Sequence, residues 1–285
     1  QGDVGSGKTI LALITAANII EINYQVAFMA PTEILAQQHY KLAIKLFKNS
    51  NINIELLTGK TDSNKKKHIL SDLQRGKINL LFGTHALFQN KIKFLNLGFV
   101  IIDEQHKFGV NQRIKLAKKG GKNCDLLLIS ATPIPRTMML SFFGDMDISR
   151  LNEKPKYRKN IITLIKPEKK LYEILPLLKK EISLERQIFW VCPLIDVSSN
   201  LNSTSAKKKF EQVNKLFPNQ VGLIHGGINK EIKNKVLKDF LTKKIKILVS
   251  TTVIEVGIDF PNANTIIIED SNKFGLSQLH QLRGR

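Results

Sequence analysis

Short apolar runs alternate with longer segments of mixed apolar and polar residues through the first half of the chain. We predict buried strands for the apolar runs at 26–30, 56–57, 80–82, 100–102 and 126–129. Apolar residues at helical spacing predict one helix over 10–20 and a second that has Thr32 as its N-cap and includes Leu35, His39 and Leu42. Strands that alternate with helices favour an α/β fold with a doubly wound parallel sheet.

The same alternation restarts after a polar segment at 152–159, which Pro155 interrupts. In this second half we predict strands at 161–165, 187–191, 221–224, 245–250 and 265–268, and helices near 168–182, 207–217 and 229–243. Residues 197–206 are rich in Ser and Asn, so they predict a surface loop. The chain is therefore expected to form two domains, 1–153 and 160–285, each large enough to bury its own core.

Composition narrows the class of protein. The chain has 285 residues, of which 42% are hydrophobic, and no apolar run reaches the roughly 18 residues needed to span a bilayer. With no signal-like start, this predicts a soluble, cytoplasmic protein in which the isolated Cys124 and Cys192 are reduced thiols. Because the chain lacks an initiator Met and begins and ends inside motifs, we expect a fragment whose first domain lacks its first strand.

The net charge of +20 and the pI of 9.9 favour a polyanionic partner, because clustered basic residues release counterions from phosphates. The basic residues are 36 Lys and only 8 Arg, a bias that an A/T-rich coding sequence produces whatever the function. The lysine runs at 65–67 and 207–209 are therefore expected to be solvated helix faces. Charge is compatible with a nucleic-acid partner but does not establish one.

Residues 2–9 match the pattern G-x-x-x-x-G-K-[ST] of a phosphate-binding loop that opens a helix. They are Gly2, Asp3, Val4, Gly5, Ser6, Gly7, Lys8 and Thr9. In this pattern the glycines let backbone N–H groups surround phosphates, Lys8 reaches the β and γ phosphates, and the Thr9 hydroxyl ligates Mg²⁺. The segment predicts a site for ATP and Mg²⁺.

The apolar run 100–102 ends at two adjacent carboxylates, Asp103 and Glu104, followed by Gln105 and His106. A buried parallel strand presents polar groups where it ends, at the carboxyl edge where open α/β sheets bind ligands. An acidic turn without a chemical role is the alternative. Beside a phosphate loop, however, Asp103 is expected to hold Mg²⁺ and Glu104 to orient and deprotonate the attacking water. Gln105 and His106 are then expected to contact the second domain.

Hydroxyl side chains follow several of the predicted strands. Thr32, Thr58 and Thr84 lie just beyond three strand ends, and Ser130 and Thr132 follow the strand at 126–129. One such threonine is typical of a helix cap or a turn. Three at the same edge of a sheet would form a row of hydroxyls and amides suited to a sugar-phosphate backbone.

The second half of the chain has no glycine-rich phosphate loop of its own. It has the sequence TTVIEVGID after the strand at 245–250, and it ends at Arg285. An arginine near a chain end is usually exposed to solvent, but opposite a nucleotide held by another domain it acts as an arginine finger. We therefore predict an ATPase whose site closes when two domains approach each other.

The chain resembles the motor core of superfamily two helicases over essentially its whole length, and in detail it resembles the RecG family. The resemblance is carried by GDVGSGKT, APTEILAQQH, GTHAL, DEQHKFGV, SATPIPRT, TTVIEVGIDFPNA and QLRGR. The transcription-repair coupling factor has similar motifs but usually has Glu at the position of Gln105. The resemblance implies two tandem RecA-like doubly wound parallel-sheet domains.

The resemblance also implies roles for particular residues. The ATPase residues would be Lys8, Thr9, Asp103 and Glu104, while Ser130 and Thr132 would couple hydrolysis to movement. Gly257, Asp259 and Arg285 would complete the nucleotide site from the second domain. The residues that would contact DNA phosphates are Thr32, Thr58, Thr84 and Thr252.

The implied function is an ATP-dependent DNA helicase or double-stranded DNA translocase that remodels stalled replication forks and migrates Holliday junctions. Such a protein would act as a monomer on branched DNA in the bacterial cytoplasm, associated with the nucleoid and not with a membrane. A transcription-repair coupling translocase, an RNA-directed motor and an ATP- and DNA-binding clamp that does not hydrolyse ATP stay open as alternatives. The family's junction-splitting wedge, its adenine-reading segment, the last arginine of its final motif and its translocation hairpin are not expected in this chain.

Overall fold

A computed structural model of the chain describes residues 1–104, 119–121, 124–131, 147–153, 161–193, 199–251 and 262–284. The chain divides into two compact units, Gln1–Lys156 and Tyr157–Arg285. Cys124 and Cys192, one in each unit, are free thiols. In the described residues, no helix has both the length and the apolar character needed to cross a membrane.

The first unit contains a parallel sheet with the strand order β2-β3-β1-β4-β5. The strands are β1 (Gln25–Met29), β2 (Ile54–Leu57), β3 (Leu80–Gly83), β4 (Leu97–Asp103) and β5 (Asp125–Ile129). Every residue of β1, β3 and β4 is buried, which explains why these strands are apolar apart from Gln25 at the start of β1 and Asp103 at the end of β4. Polar side chains are therefore confined to the strand ends.

Helices cover both faces of this sheet. They are α1 (Lys8–Glu21), α2 (Glu33–Leu46) and α3 (Ser63–Gln74). The first two contribute Leu13, Ala16 and Ala43 to the core on one face, and α3 contributes Ile69 and Leu73 to the core on the other. The fold is therefore doubly wound, as the alternation of strands and helices predicts.

Two helices of the first unit begin at side-chain caps. The hydroxyl of Thr32 accepts a hydrogen bond from Leu35 N at 3.4 Å, which confirms the predicted cap of α2. The carboxylate of Asp62 caps α3 by accepting from Asn64 N at 2.9 Å and Lys65 N at 3.4 Å. Each cap therefore satisfies backbone N–H groups that the first helical turn leaves without an intrahelical partner.

The second unit repeats this design with the strand order β7-β8-β6-β9, again all parallel. The strands are β6 (Gln187–Cys192), β7 (Val221–Ile224), β8 (Ile247–Thr251) and β9 (Ala263–Ile268). The helices are α4 (Leu175–Ser183), α5 (Ser199–Leu216), α6 (Lys230–Leu241) and α7 (Leu276–Arg283). Alternate residues of β6 enter two cores, with Trp190 on one face and Val191 on the other.

A buried glutamine is the first residue of β1 in one sheet and of β6 in the other. Its side-chain amide forms hydrogen bonds with the backbone at the amino ends of the strands, opposite the ends that carry the motifs. Gln25 Nε2 donates to the carbonyl oxygens of Leu73 and Ile78, at 2.9 and 2.8 Å. Gln187 Nε2 donates in the same way to the carbonyl oxygens of Phe240 and Ile245. In both sheets the register shifts directly after the glutamine. The two units therefore share a side-chain device as well as a topology.

Two predictions in the second half are wrong. Residues 161–165 do not form a strand, and the exposed fractions of Ile162 and Ile165 are 84% and 94%. Their β-branched side chains favour a strand, but in the described part of the chain no neighbouring strand pairs with them. Residues 199–206 are helical rather than a loop, because α5 buries Ala206, and the helix extends through the polar residues before it.

The helix predicted over 168–182 forms in two pieces. A 3₁₀ helix covers Glu168–Ile174, and α4 starts anew at Leu175. Pro176 lies in the first turn of α4, where its missing N–H costs no helical hydrogen bond, whereas inside a continuous helix it would break one.

Candidate nucleotide-binding site

The phosphate loop forms the N-terminal end of α1. Gly5 and Gly7 have φ values of 76° and 92°, a left-handed conformation that glycine adopts without the penalty that a Cβ brings. Gly7 is the N-cap of α1 and has no side chain to cap the helix. The first-turn N–H groups thus lie beside a residue that cannot cover them, which is the arrangement that binds phosphate at helix N-termini.

Lys8 lies over the loop in this structure. Its Nζ donates to the carbonyl oxygens of Gly2 and Asp3, both at 2.7 Å. Nearby, the buried Oγ of Ser6 has no hydrogen-bond partner among the described residues. The ammonium group of Lys8 and the buried hydroxyl of Ser6 can both bind a phosphate, so the loop fits the triphosphate of ATP.

The start of the loop is held against the end of β5. Gly2 N donates to the carbonyl oxygen of Ser130 at 3.3 Å, and Gly2 also forms a parallel bridge with Leu151. A Cβ on Gly2 would lie 2.6 Å from Ser6 Oγ and 3.0 Å from Leu151 Cβ, so a larger residue would displace the loop. The structure therefore places the backbone of Ser130, a predicted coupling residue, directly beside the phosphate loop.

The acid pair lies at the same edge of the sheet. Asp103, the last residue of β4, pairs in register with Ile129, the neighbour of Ser130. Asp103 is 8% exposed, and its Oδ1 accepts a hydrogen bond from Glu104 N at 3.0 Å. Glu104 follows with φ of 50°, a left-handed conformation that is uncommon for a residue with a side chain. The phosphate loop and the two acids therefore converge on adjacent strand ends.

Sequence reasoning missed the partner of Asp103. His39, on α2, contacts the second carboxylate oxygen of Asp103, with Nε2 and Oδ2 2.9 Å apart. The available signal was a polar residue on the buried face of α2, between Ala36 and Ala43. A buried histidine on such a face needs a hydrogen-bond partner, but the sequence does not say which.

Thr9 and Asp103 are the residues that fit a Mg²⁺ ion. Thr9 lies in the first turn of α1, half-buried, and Asp103 supplies a carboxylate. In the described residues no group of three or more His, Cys, Asp or Glu side chains could hold a metal by itself. Mg²⁺ bound with a nucleotide needs no such group, because it takes one or two side chains together with phosphate oxygens and water.

Thr32, Thr58 and Thr84 follow β1, β2 and β3, which are neighbouring parallel strands. Met29 and Leu57, at the ends of β1 and β2, both pair with Gly83 of β3, so the three threonines follow the same edge. Two of the hydroxyls accept hydrogen bonds from the backbone. That of Thr32 accepts from Leu35 N, and that of Thr58 accepts from Lys60 N. A hydroxyl that accepts in this way keeps its own proton to donate to a phosphate oxygen.

A second residue that sequence reasoning missed is Lys119, which holds the segment after Thr84. Its Nζ donates to the carbonyl oxygens of Leu87, Gln89 and Ile92, at 3.0, 2.6 and 3.0 Å. Burial lowers the pKa of Lys119 from its ordinary value. The segment that begins at Thr84 is therefore fixed to its own unit by a cation.

The other predicted site residues lie outside the described residues. They are Gln105, His106, Thr132, Thr252, Gly257, Asp259 and Arg285. Their assignments stay predictions.

Comparisons with known proteins follow the same division into two parts. The DEAD/DEAH box helicase family model matches residues 1–140, and the helicase conserved C-terminal domain model matches residues 168–285. The "ATP-dependent DNA helicase RecG" of Thermotoga maritima is 48% identical over the whole chain, and that of Bacillus subtilis is 45% identical, also over the whole chain. Over its whole length the chain is similar to these RecG helicases. It spans 37% and 42% of the length of those two RecG relatives.

Solved structures agree with the RecG assignment. A structure of RecG bound to a three-way DNA junction matches 100% of this chain and 37% of the RecG chain, with 44% identity and a TM-score of 0.78. A structure of Mss116p bound to single-stranded RNA and AMP-PNP matches 99% of this chain and 62% of the Mss116p chain, with a TM-score of 0.69. At 18% identity, this similarity shows the fold alone. The expected pair of RecA-like parallel-sheet domains is thereby confirmed.

Proposed function

We propose that the chain is the motor core of an ATP-dependent DNA helicase, a double-stranded DNA translocase that remodels stalled replication forks and Holliday junctions in repair and recombination. The observation that carries the proposal is the convergence of the phosphate loop and the acid pair, through Gly2, Ser130 and Asp103, on adjacent strand ends. Similarity to RecG helicases over the whole chain supports DNA as the track. We propose 1–153 as the ATP-binding domain and 160–285 as the C-terminal helicase domain.

Hydrolysis in this proposal uses residues whose positions the loop and β4 define. Lys8 exchanges the carbonyl oxygens of Gly2 and Asp3 for the β and γ phosphates, and Ser6 Oγ gains a phosphate partner. Thr9 and Asp103 hold Mg²⁺, which neutralises charge on the phosphates when it is bound. Glu104 orients the attacking water and accepts its proton, because it is the acid that follows the metal-binding aspartate.

Residues for coupling and for the second domain's contribution are proposed from the sequence. Ser130 and Thr132 link hydrolysis to movement, and the backbone contact between Ser130 and the phosphate loop supports the first of these. Gln105 and His106 contact the second domain. The second domain contributes Gly257, Asp259 and Arg285 to hydrolysis.

DNA is bound through its backbone in this proposal. Thr32, Thr58 and Thr84, with Thr252 from the second domain, donate hydrogen bonds to phosphates, so binding is independent of sequence and weakens steeply with salt. The partner is branched double-stranded DNA, the protein acts as a monomer, and it works in the bacterial cytoplasm on the nucleoid.

The test measures ATP hydrolysis by the protein at its natural length, with forked DNA, linear duplex and no DNA. We expect hydrolysis to need Mg²⁺, to rise with forked DNA above linear duplex, and to disappear in Lys8→Ala. Lys45→Ala, a change in the last turn of α2, is the control and should hydrolyse ATP normally. Hydrolysis that DNA does not stimulate would overturn the DNA part of the proposal, and equal hydrolysis by Lys8→Ala would overturn the assigned site.

A further inference from the structure

His39 contacts Asp103 in a way that determines which nitrogen carries the proton. An aspartate carboxylate accepts hydrogen bonds only, so the 2.9 Å contact requires His39 Nε2 to be the donor. The side chains of His39 and Asp103 are 10% and 11% exposed, so water does not compete freely for either partner. The contact joins residues that are 64 positions apart in the chain, one on α2 and one at the end of β4.

This contact also fixes the rotation of the Asp103 carboxylate. Oδ1 accepts from Glu104 N at 3.0 Å and Oδ2 accepts from His39 Nε2. With one partner on each oxygen, the carboxylate plane is set before any nucleotide binds. Outer partners of this kind orient metal-binding carboxylates, and their loss typically costs about 10–100-fold in metal affinity or activity.

The imidazole is itself held by packing. The ring centroids of His39 and Phe28 are 4.9 Å apart, and Phe28 is a fully buried residue of β1. His39 therefore cannot turn away from Asp103 without disturbing the core between α2 and the sheet. A histidine that only filled space would need this packing but not the Nε2 hydrogen bond.

The same helix begins at a residue proposed to contact DNA. Thr32 caps α2, and His39 lies seven residues further on, about 10 Å along the helix axis. A helix of this length moves as a rigid body, so a displacement at its N-terminus displaces the imidazole as well. Thr32 and Asp103 are thereby connected through one helix and one hydrogen bond.

We propose that His39 is a positioning residue that orients Asp103 for Mg²⁺ and makes this orientation depend on the position of α2. The link to DNA rests on the proposed function, because Thr32 is assigned to a DNA phosphate there. The orientation of Asp103 does not rest on it, since the contact between His39 and Asp103 is present in the structure without DNA.

The two amide substitutions of His39 separate the hydrogen bond from the packing. The side-chain nitrogen of Gln can reach the position of His Nε2, whereas that of Asn reaches only the position of Nδ1. We expect His39→Asn to raise the Mg²⁺ concentration that gives half-maximal ADP binding by about 10-fold. His39→Gln should stay within about threefold of wild type, and His68→Asn, an exposed histidine on α3, should be unchanged.

Binding of a fluorescent ADP analogue is measured against Mg²⁺ concentration, and again in EDTA, where all variants should bind alike. Equal Mg²⁺ requirements for His39→Asn and wild type would overturn the proposal, and so would equal losses in His39→Asn and His39→Gln. Nitrogen NMR of the imidazole in the wild-type protein needs no variant. A proton on Nδ1 rather than Nε2 would also overturn the proposal, even if the variants failed to fold.

DNA stimulation tests the second half of the proposal. At saturating Mg²⁺, His39→Asn should lose most of the ratio of hydrolysis with forked DNA to hydrolysis without DNA, and His39→Gln should retain that ratio. Full stimulation in His39→Asn would refute the connection through α2 while leaving the proposed function intact. Absence of stimulation in the wild-type protein would refute the proposed function, and the Mg²⁺ titration would still decide the role of His39.

Discussion

Replacing Gln25 by Met should destabilise the first unit. Gln25 is 3% exposed, and its amide makes four hydrogen bonds to the backbone. Nε2 donates to the carbonyls of Leu73 and Ile78, and Oε1 accepts from Leu95 N at 2.8 Å and Asn96 N at 3.0 Å. Met has nearly the same length but can neither donate nor accept at these positions, so the four hydrogen bonds of the amide are lost.

The loss is largest where water cannot enter. Ile78 is 4% exposed, so its carbonyl stays unsatisfied, at a cost of about 1–3 kcal/mol. The carbonyl of Leu73 still accepts from Gly76 N at 3.2 Å, so it loses only one hydrogen bond, worth about 1 kcal/mol. Leu95 is exposed, and the N–H groups of this turn can be hydrated instead. Allowing for the apolar surface that Met buries, we expect the free energy of unfolding of the first unit to fall by about 2 kcal/mol.

Urea unfolding followed by two probes measures this change. Circular dichroism reports both units, whereas the fluorescence of Trp190, the only tryptophan in the sequence, reports the second unit. Gln25→Met should shift the circular dichroism transition and leave the Trp190 transition nearly unchanged, and Gln187→Met should shift the Trp190 transition. The control is Gln37→Met, at an exposed position of α2. A loss below about 1 kcal/mol in Gln25→Met, or an equal loss in the control, would refute the reasoning.

Three further predictions concern the site and its pH dependence. Glu104→Gln should bind ATP with nearly wild-type affinity and hydrolyse it at least about 100-fold more slowly in single-turnover kinetics, because an amide cannot accept the proton of the attacking water. Near-normal turnover would show that the general base is another group. Arg285→Ala should leave ATP affinity nearly intact and reduce DNA-stimulated hydrolysis by orders of magnitude, and unchanged hydrolysis would remove Arg285 from the mechanism. Burial, together with Lys207, lowers the pKa of His225 below its ordinary 6.5, and the neutral ring accepts a hydrogen bond from Gly227 N. The titration of His225 therefore leaves the free energy of unfolding unchanged above pH 6.5 and lowers it as the pH falls below that value. The melting temperature should decrease less on acidification to pH 5 in His225→Gln than in wild type. Identical plots of melting temperature against pH for the two proteins would contradict this prediction.

The sequence predicts the features that depend on neighbouring residues. The phosphate loop, the cap at Thr32 and the position of Asp103 at a strand end all follow from spacing along the chain, because each uses backbone groups within a few residues. The doubly wound parallel sheet follows from the alternation of strands and helices in the same way, whereas the RecA-like architecture is implied by the resemblance to RecG.

Other features depend on contacts between distant parts of the chain. His39 and Asp103 meet only when α2 packs on the sheet, and the amide of Gln25 finds its partners in two separate turns. Residues 161–165 show the opposite case, since their β-branched pattern favours a strand but pairing requires a neighbour. Local composition also misleads at 199–206, where the burial of Ala206 outweighs the Ser and Asn residues.

The left-handed backbone at Glu104 sets stability against activity. A residue with a Cβ pays about 1 kcal/mol in this conformation, and Asn tolerates it better than Glu. A thermostability screen that ignores turnover is therefore expected to accept Asn at this position and return proteins that melt higher but no longer hydrolyse ATP. With the proposed role of Glu104 as the general base, the carboxylate is needed for hydrolysis despite this cost in stability. The position should therefore be held constant in any attempt to engineer a more stable motor.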